Sequence, residues 1–190
     1  MKRLIIIIAA LCAVAACKPK AETPEFDTEA LKAAWQEQVG YEGMEINDPE
    51  EYLLYDVDCD GFPEVVARGA GFNAVFTWKD EPSLIAWSFG EYVTLYVSKS
   101  GIVGCFEASG RSEALFCNTY YALKDSKLDH FVCDESAFVD DEAEDETYEK
   151  YTYTIPDGES RTITEDEALP YLKVEDFEYV GYLEGWQEIK

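Results

Sequence analysis

The residues with the clearest capacity for chemistry are crowded into nine positions, Asp56-Val-Asp58-Cys-Asp60-Gly61-Phe62-Pro63-Glu64. Three carboxylates recur at every second residue, a glycine follows, and a fourth carboxylate stands three residues later. Alternate carboxylates on a tightly curved loop can converge on one point. Gly61 permits the sharp turn, because glycine tolerates positive φ. Four acids so close repel one another unless a cation joins them. A hard divalent cation such as calcium takes six to eight oxygens at about 2.3–2.6 Å, which suits such a loop. The expected ligands are Asp56, Asp58, Asp60, the Phe62 backbone carbonyl and Glu64. The ion's expected role is structural, since nothing nearby in sequence offers a base or a nucleophile. An EF-hand would carry a bidentate Glu at its twelfth position, which here is Ala67, and β-type sequence flanks the loop on both sides.

A second reactive position lies near the start. Met1, Lys2 and Arg3 precede an apolar run of 13 residues from Leu4 to Ala16, which ends in small residues before Cys17. Charge, apolar stretch and small residues in that order are the layout of a secretory signal peptide. The run is too short for a spanning helix, which needs about 20 apolar residues. Val14-Ala15-Ala16-Cys17 resembles the lipobox of bacterial lipoproteins. That resemblance implies cleavage before Cys17, lipid on its sulfur and a location in the bacterial cell envelope. Lys18 in the following position favours the outer membrane within that family's sorting rule. Two or more acyl chains give stable anchoring where one gives marginal binding. Residues 1–16 are thus expected to be the signal, 17–25 the lipidated cysteine and a tether, and 26–190 one β-rich domain.

Composition narrows the partners. Removing Lys2 and Arg3 lowers the 15 basic residues to 13 against 40 acidic ones, a formal charge of −27. Such a chain repels nucleic-acid phosphates and anionic lipid surfaces, and cations or basic proteins are its natural partners. Aromatic residues make up 14% of the chain, far more than a disordered acidic tail carries, so a folded core is expected. Beyond Cys12 and Cys17 stand Cys59, Cys105, Cys117 and Cys133, which allow three pairings. Cys105–Cys117 is the preferred disulfide, because these two flank a turn signal at Ser109-Gly-Arg-Ser112 and can face each other across a hairpin.

The elements that must position these residues are mostly strands. Asp27 to Val39 reads as an N-terminal helix capped by Asp27, with Leu31, Ala34, Trp35 and Gln38 on one face. From Tyr52 to Ile155, short β-branched and aromatic runs alternate with Gly, Asp and Pro turn signals, the pattern of antiparallel sheets. Thr164-Glu-Asp-Glu167 is a capping box that opens a short C-terminal helix near Glu165–Leu172. Phe177, Tyr179, Val180 and Trp186 suggest a last strand or apolar strap. Nine acids between Asp134 and Glu149 read as a solvated loop. The fold class is therefore mainly β with minor α. Its form is an antiparallel β-sandwich, or a curled sheet resembling part of a propeller, with one helix near each end.

The stretch from Tyr52 to Val66 resembles the calcium loop of FG-GAP and VCBS repeats, in the single-copy version found in small bacterial lipoproteins of unknown function. It departs from that pattern at Cys59, where glycine is common. The resemblance implies a strand–loop–strand calcium site. Together these readings point to a non-enzymatic envelope lipoprotein with a calcium-stabilised β domain that serves as a binding module. The alternatives are an inhibitor or binder of a basic secreted protein such as a lysozyme, and a hydrolase using an acidic pair such as Glu64 with Asp60.

Overall fold

The computed structural model describes residues 26–40, 46–79, 81–90, 93–107, 115–141 and 144–190. Its described residues form two antiparallel sheets and two α-helices. Asp27 accepts hydrogen bonds from the amides of Glu29 and Ala30 and starts helix α1, Thr28–Gln38. Five strands make the first sheet: β1 (Glu51–Tyr55), β2 (Glu64–Gly69), β3 (Phe72–Thr77), β4 (Ser83–Phe89) and, at its far edge, β12 (Gln187–Glu188) beside β1. The second sheet has seven, in the order β10 (Ser160–Ile163), β9 (Glu144–Thr154), β8 (Lys127–Asp141), β7 (Leu115–Lys124), β6 (Ile102–Glu107), β5 (Val93–Val97) and β11 (Glu178–Tyr179). Helix α2, Glu165–Leu172, follows β10. The mainly β sandwich read from the sequence is the fold observed, and neither sheet closes into a barrel.

Strand periodicity explains why both faces of each sheet are covered. Successive side chains on a strand point to opposite faces. In β2, Val66 enters the core between the sheets, together with Val57, Val75, Leu95, Val97, Val103 and Leu123. Its neighbours Val65 and Ala67 face the other way and pack with Leu31, Ala34 and Trp35 of α1. On the outer face of the second sheet, Tyr120, Val132 and Ile163 pack with Ala168 of α2. The layers therefore run helix, sheet, sheet, helix. Gln38 extends the α1 contact past the helix end, accepting from the Leu84 amide at the start of β4 at 2.8 Å.

Helix α2 begins as its sequence dictates. Thr164 accepts from the Glu167 amide while the Glu167 carboxylate accepts from the Thr164 amide, at 3.3 and 3.0 Å. Arg161 adds an ion pair to Glu167 at 3.0 Å. These bonds hold the Glu167 carboxyl below its ordinary range, the Thr164 amide being the largest cause. Thr164→Ala removes one half of the box and is expected to cost about 1 kcal/mol. That corresponds to a fall of roughly 2–4 °C in thermal midpoint for a chain of this size, read by circular dichroism.

One expectation needs correction. The described residues of the acidic stretch Asp134–Glu149 are paired strand, not a loop. Residues 134–141 continue β8 and residues 144–149 open β9, paired in antiparallel register from Phe131↔Thr154 out to Asp141↔Glu144. Strand pairing already established at the base carries on through the acids, helped by the β-forming Phe138, Val139, Thr147 and Tyr148. The C-terminal segment, expected as a last strand or apolar strap, is a strap that carries two short strands. It consists of β11, a 3-10 turn at Val180–Tyr182 and β12, which touches both sheets.

Candidate functional site

The acidic loop joins β1 to β2, which pair with Tyr55 opposite Glu64. Its curvature is built from its own carboxylates. Asp58 accepts from the Asp60 amide at 3.2 Å, Asp60 from the Phe62 amide at 2.7 Å, and Asp56 from the Gly61 amide at 3.2 Å. Two residues take positive φ: Gly61 at 95°, as its type allows, and Cys59 at 54°. Side-chain-to-backbone bonds of this kind suit aspartate and favour turns over regular structure.

The loop rests on the other sheet. Asp125 and Ser126 have φ of 54° and 57° and form the two-residue turn between β7 and β8. Positive φ at both central residues is the type I′ geometry favoured in hairpins. The Ser126 amide donates to Asp58 Oδ2 at 2.9 Å, and its hydroxyl donates to Asp60 Oδ2 at 3.0 Å. The Gly101 amide donates to the Val57 carbonyl at 3.0 Å, and the Leu123 amide donates to the Gly101 carbonyl. A Cβ at Gly101, whose φ is +86°, would stand 3.1 Å from the Leu123 carbonyl oxygen and 3.5 Å from Asp58 Cβ. Only glycine lets the loop approach this closely.

Of the expected ligands, Asp56, Asp58 and Glu64 come together, each offering an oxygen within 4.8 Å of the others. Oxygens on opposite sides of a calcium ion, at about 2.4 Å each, stand about 4.8 Å apart, so the spread suits that ion. Asp60 is occupied elsewhere. Besides Phe62 and Ser126, it faces the Lys79 ammonium at 3.5 Å. Phe62 has its ring 5.1 Å from the same ammonium. Lys79 in turn donates to the Asp125 carbonyl at 3.2 Å. Cys59 is exposed, with its sulfur 3.5 Å from the Lys99 carbonyl.

Glu64 is the unusual member. It is fully buried, at 0% exposure. Oε2 accepts from the Val57 amide at 2.9 Å, but Oε1 has no donor, and neither does the buried Oδ1 of Asp56. A buried carboxylate oxygen without a partner costs several kcal/mol if charged. Burial, with the nearby Asp58 and Asp60 charges, pushes the Glu64 carboxyl up to about 8 against the pull of the Val57 amide. A divalent cation among Asp56, Asp58 and Glu64 would supply both orphaned oxygens with a partner. The donor set fits calcium: hard oxygens, one of them buried and held in place.

The other chemistry-bearing residues lie apart from this loop. His130 is bonded on both ring nitrogens, to Asp129 and to the Tyr171 hydroxyl, each at 2.7 Å, and stacks on Tyr153. The Tyr171 phenol is held above its ordinary range, chiefly by burial, so it stays protonated. The bond from His130 to Tyr171 pins α2 to its sheet. Cys105 and Cys117 share one face of β6 and β7, but both are unbonded thiols, as are Cys59 and Cys133. The sulfur that Cys117 meets, at 2.7 Å, belongs to Cys133. Cys17, the tether and the Ser109–Ser112 turn lie outside the described residues. No family model, curated protein or solved structure matches this chain.

Proposed function

We propose that this chain is a non-enzymatic lipoprotein of the bacterial cell envelope whose β domain is locked by one calcium ion and serves as a binding module. The observation that carries the calcium is the pair of buried, donorless oxygens on Glu64 and Asp56, at the point where the β1–β2 loop meets the other sheet. Bound there, the ion ties β1 and β2 to the β7–β8 turn through Asp58. It neutralises acids whose repulsion otherwise opposes docking. The role is structural, because Glu64 is sealed from solvent and its neighbours are carboxylates already used in shaping the loop. Lipidation of Cys17 supplies the membrane attachment, and no helix among the described residues is long and apolar enough to cross a membrane.

The partner is read from charge. The whole chain carries a formal charge of −25. The β8–β9 hairpin sets acids opposite acids in its register, Asp140↔Asp145 and Asp141↔Glu144. A chain this acidic draws cationic surfaces towards it. This favours a basic secreted protein, a lysozyme-like one for example, as the partner class.

Two measurements test the proposal. Calorimetric titration should give one calcium site, lost in Asp58→Asn; a wild-type chain showing no binding heat at millimolar calcium removes the ion. Labelled palmitate fed to expressing bacteria should enter the chain through Cys17, and Cys17→Ser should abolish the label. Equal labelling of that variant removes the anchor.

A further inference from the structure

Cys117 on β7 is paired in register with Glu135 of β8, and Thr119 with Cys133, so the two cysteines are diagonal neighbours on one face. Their sulfurs are 2.7 Å apart, within about 1 Å of the bonded disulfide distance. Cys105, also on this face and opposite Thr119, turns its thiol to the Trp87 carbonyl at 3.7 Å. Cys59 lies on the acidic loop with its sulfur on the Lys99 carbonyl. Among the four described thiols, one pair is thus poised and two are engaged with backbone.

We propose that Cys117 and Cys133 are a redox-active dithiol that closes to a cross-strand disulfide by exchange with a low-molecular-weight disulfide of the oxidised-glutathione class. The Cys117 thiolate attacks one sulfur of the donor disulfide, forming a mixed disulfide and expelling the other half as a thiolate. Cys133 then loses its proton and attacks Cys117 Sγ, expelling the second half. The protein gives up two electrons and two protons, and the donor becomes two thiols.

The division of roles follows from access. Either sulfur can donate in the contact between them. That contact, with a smaller contribution from the Thr119 hydroxyl, lowers the Cys117 thiol to about 7. The same bond, with burial, raises Cys133 well above the ordinary thiol range. Cys117 lines an open cleft and Cys133 does not, so Cys117 is the attacking group and Cys133 the resolving one. Burial pushes Cys105 up to about 12, which keeps it out of the exchange. Cys117 shares that cleft of about 480 Å³ with Trp87, Phe89, Cys105, Thr119 and Tyr121, which gives a small disulfide access to its sulfur. This inference stands independently of the calcium loop.

The reduced full chain is incubated with oxidised glutathione, quenched in acid, alkylated and mapped by mass spectrometry. The expected product is a Cys117–Cys133 linkage with the loss of two hydrogen atoms, while Cys59 and Cys105 are alkylated. Cys105→Ser should leave the linkage intact. Cys133→Ala should trap glutathione on Cys117. It should also move the pH at which Cys117 alkylation levels off upward from about 7, because the contact with the Cys133 sulfur is gone. Recovery of all four thiols from the oxidised wild type overturns the proposal, as does a linkage through Cys105. An unmoved Cys117 pH profile overturns the assigned roles. The wild-type map decides the pairing even if the Cys133 variant folds poorly.

Discussion

Calcium added to the metal-free chain is expected to raise its thermal midpoint by roughly 5–10 °C once free calcium exceeds Kd about a hundredfold. The arithmetic is linkage: binding only to the folded state at that excess contributes about 2.7 kcal/mol. Each kcal/mol moves the midpoint of a chain this size by roughly 2–4 °C. The physical source is the loop itself, where Glu64 has an orphaned buried oxygen and Asp56 another. Magnesium should give a smaller shift, because it demands tighter octahedral geometry and parts with its waters reluctantly. Glu64→Gln separates the ion from the fold. Its amide keeps the side chain's shape, can still accept from Val57, and offers a donor on the side where Asp56 lacks one. That variant should melt no lower than wild type in EDTA and gain nothing from calcium. A wild-type midpoint that is the same in EDTA and in millimolar calcium sinks the metal reading.

Trp35→Ala should be the most damaging single change considered, costing about 3–5 kcal/mol in urea denaturation. Trp35 is fully buried, packs in the cluster formed by α1 and the outer face of the first sheet, and donates its indole N–H to the Asn47 carbonyl at 2.9 Å. Truncation leaves both a cavity and an orphaned carbonyl. Trp186 provides the contrast. It is only partly buried, with Arg68 stacked 4.1 Å above its ring, and truncation there should cost visibly less. A Trp35 variant within about 1 kcal/mol of wild type would mean that α1 contributes little to holding the first sheet.

Local signals were legible in the sequence, and long-range ones were not. Asp27 and Thr164 announced both helix starts, because capping is a contact within three residues. Alternation located the strands, but not which strands neighbour one another. The loop's spacing named Asp56, Asp58 and Glu64, which do converge. It also named Asp60, whose surroundings depend on Lys79 and Ser126, 19 and 66 residues away. Ser126 itself carried no sequence signal beyond its place in a turn. The cysteine pairing turned on the same limit. Cys105 and Cys117 do lie on neighbouring strands, but β8 flanks β7 on its other side and brings Cys133 closer. The acidic hairpin misled for a different reason: charge density argues for solvation of side chains and says nothing about whether the backbone beneath them is paired.

The bond from Ser126 to Asp58 spans 68 residues of chain. The turn that braces Asp58 therefore reaches it only once the two sheets have met. Interactions absent from the folding transition state slow unfolding and leave the folding rate nearly unchanged. A refolding chain would thus reach its native shape at nearly the same pace with or without calcium. If calcium binds there as proposed, the ion would set how long the folded shape lasts rather than how quickly it forms.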